Sequence, residues 1–150
     1  MNPSNFIVIA GTILLTSCAF ISYETPSQVR EHTDKISASI NAEHERVFTE
    51  TLKYLRPCWE GRSSLGVDSR VTSGFGTATS RISVGLYSRD LFSSEIFTQI
   101  LLVIDMSSNG AKTDVVISGR NRKKIIVMLE KMKFIAVGKT SKCEEIGDLR

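Results

Sequence analysis

Charge is missing from the start of this chain: positions 1–17 contain no Lys, Arg, Asp or Glu. No apolar run reaches the roughly 20 residues that a spanning helix needs. Histidine is scarce, with only His32 and His44, and both precede the segments that read as sheet. A Ser-His-Asp arrangement would have to bring one of them to a nucleophile such as Ser73 or Ser118, with nothing local to support it. There is no G-x-S-x-G elbow. Gly74-x-Gly76 lacks the third glycine and the following helix of a phosphate loop. No cysteine has a neighbour at ligand spacing, so no metal site and no cofactor is expected. Glu43-His44-Glu45 offers metal-binding residue types, but adjacent residues point to different sides of a helix, and the segment reads as a solvated helix face. The acidic candidates Asp68, Asp90, Asp105, Asp114, Glu144 and Glu145 show no paired spacing, so carboxylate hydrolysis is permitted rather than indicated. A net charge of +3 is too weak to suggest nucleic acid as a partner.

The uncharged start carries a pattern of its own. Phe6 to Leu15 form an apolar run of signal-peptide length, and Leu15-Thr16-Ser17-Cys18 closes it. An aliphatic residue, two small residues and a cysteine in that order resemble the lipobox of a bacterial lipoprotein precursor. The resemblance covers the export signal only. The usual Lys or Arg ahead of the apolar run is absent, and the alternative is an uncleaved anchor read on through Ala19, Phe20 and Ile21. The lipobox implies a diacylglycerol thioether on Cys18, cleavage before it, and membrane attachment through the lipid. Several buried acyl chains, at ~0.8 kcal/mol per methylene, anchor stably where a single chain is marginal. Ala19 in place of an aspartate implies the outer membrane if the source is Gram-negative. With Cys18 given to lipid in an exported protein, Cys58 and Cys143 are expected to form a disulfide in the oxidising envelope; two free buried thiols are the alternative.

After positions 1–17 as signal peptide, residues 18–35 read as the lipidated cysteine and a polar tether that includes Pro26. Residues 36–150 read as one α+β domain. Ile36, Ile40, Val47, Leu52 and Leu55 recur near helical spacing, and Pro57 is expected to end that helix just before Cys58 and the only tryptophan, Trp59. Strand periodicity follows in Val67/Val71/Phe75, in Ile82/Val84/Leu86, and in the even positions Ile96, Ile100, Leu102, Ile104 and Met106. Asn109-Gly110 predicts a type I′ hairpin loop. That register sets Ile104 opposite Val115, Leu102 opposite Ile117 and, less comfortably, Asp105 opposite Asp114. Asn121 suits the cap of a last helix with Ile125, Met128, Leu129, Met132 and Ala136 on its apolar side. The helix ends either at Gly138 or near Lys133, with Phe134 to Val137 then a short strand. The expected order is helix, four strands, helix: an antiparallel sheet of about four strands covered by two helices.

Arg120, Arg122, Lys123 and Lys124 cluster at the start of that helix, where the helix dipole disfavours cations. They are the candidate contact for an anionic surface, against the alternative of a solvated turn. The functional expectation is a non-enzymatic, lipid-anchored envelope protein that binds or scaffolds an envelope protein partner. The alternatives are an envelope hydrolase acting on cell-wall or glycan material, or an enzyme inhibitor.

Overall fold

Alternating apolar residues build the second half of the chain into sheet, and the helices follow from which face each strand leaves bare. In a computed structural model, residues 25–62, 67–89, 96–139 and 143 are described. The element order is α1 (Pro26–His32), β1 (Asp34–Ile40), α2 (His44–Trp59), β2 (Gly61–Arg62), β3 (Val67–Phe75), β4 (Thr79–Arg89), β5 (Ile96–Asn109), β6 (Lys112–Gly119) and α3 (Arg122–Ala136). The fold is α+β, with every strand pairing antiparallel in the order β1-β6-β5-β4-β3-β2. The four strands read from the sequence are β3 to β6. β1 and the two-residue β2 are additions at the two edges.

β1 replaces the first half of the helix expected from Ile36. Residues four apart suit either period, since four is one helical turn and also two strand repeats. The alternation Ile36-Ser37-Ala38-Ser39-Ile40 decides for strand once β6 is there to pair, with Ile36 opposite Ile117 and Ala38 opposite Val115. α2 then starts at His44 and buries Val47, Phe48, Thr51, Tyr54, Leu55 and Trp59. Pro57 does not end it: the helix runs on to Trp59, and Glu60 N–H donates to the Arg56 carbonyl at 2.8 Å. A proline removes only one hydrogen bond, and here the burial of Trp59 holds the last turn.

The tether read over residues 18–35 is also corrected. Residues 18–24 lie outside the described residues, but Pro26–His32 is helix and Asp34 already begins β1. Thr25 N–H donates to Gln28 Oε1 at 3.0 Å, Gln28 N–H donates back to Thr25 Oγ1 at 3.4 Å, and Pro26 occupies the first turn. Val29 is fully buried with Ile100 and Val103. Thus α1 covers part of one sheet face, while α2 and α3 cover the other over Val71, Ile82, Val84, Leu102, Ile104, Val115 and Ile117.

Two register details matter. Val84 pairs with Leu102 but Gly85 pairs with Ile100, so Leu101 is an extra residue, a β-bulge. The bulge inverts side-chain parity, which sends Ile100 to the α1 face instead of the face shared by Leu102, Ile104 and Met106. The β5–β6 turn is Gly110-Ala111, with Asn109 opposite Lys112 and Gly110 at φ 62°. A positive φ at the first loop position alone is the type II′ pattern. The register is therefore two residues from that expected: Ile104 faces Ile117 and Met106 faces Val115, on the anticipated core face. Asp105 and Asp114 are not opposed. Asp105 takes Arg81 at 2.6 Å and Asp114 accepts from Asn109 at 2.8 Å.

α3 has the expected cap, Asn121 Oδ1 accepting from Lys123 N–H at 3.1 Å and Lys124 N–H at 3.3 Å. It runs to Ala136, so residues 134–136 belong to helix, and Gly138 carries a positive φ of 82°.

Candidate binding site

The C-terminal end of α2, the start of α3 and the sheet beneath them do not close completely. They leave an apolar pocket of about 120 Å³. Leu55 and Trp59 of α2 form one wall, Ile125 and Met128 of α3 another, and Val84, Leu101 and Leu102 the floor. Gly119, Arg120, Asn121 and Lys124 complete the lining, so its polar side chains beside the Trp59 indole are one amide and two cations.

Three local features shape this pocket. The bulge adds Leu101 to the floor. Gly119 lets α3 come down onto the sheet: a Cβ there would lie 2.9 Å from Ile125 Cγ2 and 3.1 Å from the Leu101 carbonyl oxygen. Trp59 is held by its backbone, its carbonyl accepting from Ser69 Oγ. Its indole Nε1 is buried with no hydrogen-bond partner among the described residues. Beside it, Cys58 and Cys143 sit at disulfide-bonding distance, with Cα atoms 5.1 Å apart.

The four cations read as one cluster separate. Arg120 and Lys124 line the pocket. Arg122 and Lys123 are exposed, and Arg122 reaches Asp34 at 3.9 Å. The candidate lipid attachment at Cys18, with Leu15, Thr16, Ser17 and Ala19, lies outside the described residues.

His44 corrects the reading of Glu43-His44-Glu45 as a solvated face. Its flanking glutamates are exposed, but His44 is only 5 % exposed and stacks on Phe75 with ring centroids 5.2 Å apart. Its Nε2 shares a 2.8 Å hydrogen bond with Ser80 Oγ, and Ser80 is 7 % exposed. The pair pins the start of α2 to β4. His32, by contrast, is exposed at the end of α1. A signal for His44 was present, since it stands on the same helical stripe as Val47, Phe48, Thr51 and Leu55.

On the α1 face, an open groove of about 650 Å³ runs past Arg30, Arg81 and Asp105. Asp105 binds both arginines, Arg81 at 2.6 Å and Arg30 at 3.7 Å. Asp68 pairs with Arg70 at 3.3 Å, and Asp114, which also lines the groove, accepts from the Asn109 amide. Asp90, Glu144 and Glu145 lie outside the described residues. Among the described residues no group of three or more His, Cys, Asp or Glu that could hold a metal is present. Among them no helix is long and apolar enough to cross a membrane.

No protein-family model matches the chain, and no curated protein matches it.

Proposed function

We propose that this chain is a lipid-anchored cell-envelope protein that binds another envelope component without acting on it chemically. Its address rests on Leu15-Thr16-Ser17-Cys18, with lipid on Cys18 and, in a Gram-negative source, the outer membrane favoured by Ala19. The observation that carries the binding role is the pocket between α2, α3 and the sheet, apolar in its depth with Arg120 and Lys124 in its lining. An apolar cavity of roughly 150 Å³ takes a benzene-sized guest. The pocket of about 120 Å³ therefore suits one aromatic ring or a short aliphatic group. The two cations favour a carboxylate or phosphate beside that group. The same chemistry is presented by an acidic protein segment with one apolar anchor residue and by the head region of an anionic amphiphile. As a disulfide, Cys58–Cys143 would fasten the wall that carries Trp59.

A photoreactive lysine analogue at Lys124, used in intact cells, tests the role and separates the two sources. An adduct on a protein identifies an acidic partner, and an adduct on lipid identifies an amphiphile. The control position is Thr72, exposed on β3. If Lys124 captures nothing that Thr72 does not, the binding role falls. Mass spectrometry of the same material reads the acylation of Cys18 and the state of the other two cysteines.

A second reading, an envelope hydrolase, has one observation in its favour, the His44–Ser80 hydrogen bond. Both side chains are more than nine-tenths buried, which favours a structural tie. Labelling of Ser80 by a fluorophosphonate would reverse that preference.

A further inference from the structure

α3 presents a second surface that the pocket does not use. Ile126, Val127, Phe134 and Val137 are 45 %, 41 %, 43 % and 59 % exposed. At roughly 100° per residue they fall within an arc of about 100° on the outward side of the helix, an arc that also carries the exposed Lys123 and Glu130. Cations border it. Arg122, Lys123 and Lys133 are exposed, and Lys139 Nζ lies 5.1 Å from the centroid of the Phe134 ring. The single acidic residue of the helix, Glu130, is bound by Lys133 at 2.8 Å.

We propose that this outward face of α3 lies on an anionic bilayer surface. A basic helix with an exposed apolar stripe buries that stripe a few ångströms into the headgroup region, while its lysines extend to the lipid phosphates. A second copy of the chain is a poorer occupant, because a two-fold contact through this face would set the same cations against each other. The inference rests on the lipid-anchored reading only for the nearness of the membrane. The chain from Cys18 to Pro26 spans at most ~30 Å. Two layers at about 10 Å each place the axes of α1 and α3 about 20 Å apart. That reach lets α3 meet the same bilayer although α1 packs on the opposite side of the sheet.

The test uses the full chain, purified from membranes and reconstituted in phosphatidylcholine vesicles with or without phosphatidylglycerol. Val127→Trp in a Trp59→Phe background puts the only indole on the stripe. On anionic vesicles its emission is expected to shift to shorter wavelength and to be quenched by brominated acyl chains. Both effects should weaken at 1 M salt, where the screening length falls to about 3 Å. Arg122→Glu with Lys123→Glu should lower the preference for anionic over zwitterionic vesicles by about tenfold or more. The unsubstituted chain supplies an independent readout, protection of Lys123 and Lys133 from acetylation. Water-like emission and unprotected lysines on anionic vesicles overturn the inference, and if the chain still floats with the vesicles the anchored reading survives. Equal docking on zwitterionic vesicles overturns the anionic assignment. Protection and flotation that are both lost at 1 M salt keep the α3 contact and remove the lipid anchor instead.

Discussion

Replacing Gly119 by alanine adds one methyl group at the closest approach of α3 to the sheet. That methyl would meet Ile125 Cγ2 at 2.9 Å, the Leu101 carbonyl oxygen at 3.1 Å and Leu102 Cδ1 at 3.3 Å. The two nearest of these neighbours do not give way cheaply. Ile125 is β-branched and holds essentially one χ1 rotamer in a helix. The Leu101 oxygen belongs to the backbone of β5, which is fixed between β4 and β6. The helix must therefore lift by a few tenths of an ångström, and overpacking of this kind costs about 1–3 kcal/mol. Gly74→Ala is the matched control in the same sheet. A Cβ there meets nothing within 4 Å and Gly74 has no positive φ, so relief of glycine's backbone entropy should stabilise by about 0.5 kcal/mol. Urea denaturation compares the two, with midpoints moving in opposite directions and unchanged m-values. A Gly119→Ala chain as stable as wild type would refute the close approach of α3 and with it the shape of the pocket.

Three further substitutions test other parts of the account. Thr51 is fully buried and its hydroxyl has no partner among the described residues, so Thr51→Val should raise stability by about 1 kcal/mol; no gain in the urea midpoint would mean that the hydroxyl is satisfied. Val29→Ala should cost about 1.5–3 kcal/mol if α1 is packed, and nothing if residues 26–32 are a free tether. A Cys58–Cys143 bond would close a loop across 85 residues, so Cys58→Ser with Cys143→Ser should cost about 4–5 kcal/mol in the chain-entropy model. The same loss should follow reduction of the wild-type protein, measured by thermal denaturation with and without reductant.

The parts of the fold visible in the sequence are those with a strong local signal and one possible partner. β3 to β6 show their period-two pattern, and α3 shows both its apolar stripe and its Asn121 cap. The misread parts are those where local signals are compatible with two structures. Ile36 and Ile40 satisfy both periods, and only pairing with β6 selects the strand. α1 is seven residues long, too short to be stable alone, and exists because Val29 finds Ile100 and Val103. The bulge at Leu101 leaves no mark in an apolar run, yet it moves Ile100 to the other face. The hairpin loop lies one residue later than Asn109-Gly110 predicts, because Gly110 fits either loop position when Asn109 precedes it.

Much the same holds for the site. Arg120 and Lys124 are legible as misplaced charges at a helix start, and they line the pocket with the capping Asn121 between them. Its apolar depth was not legible, because Leu55, Leu101 and Ile125 come from three elements whose contact is set by tertiary packing. Trp59 stood out only as a lone tryptophan beside a cysteine.

That lone tryptophan gives the most direct test of the pocket. Titrating the full chain with phenylacetate places a ring in the pocket and a carboxylate near Arg120 and Lys124, and Trp59 emission reports its arrival. Ten heavy atoms at about 0.4 kcal/mol each predict a Kd on the order of 1 mM. The account predicts a saturable change in Trp59 emission at that level, with the neutral phenylacetamide several-fold weaker. No change at several times that concentration, or an equal response to the neutral analogue, would contradict it.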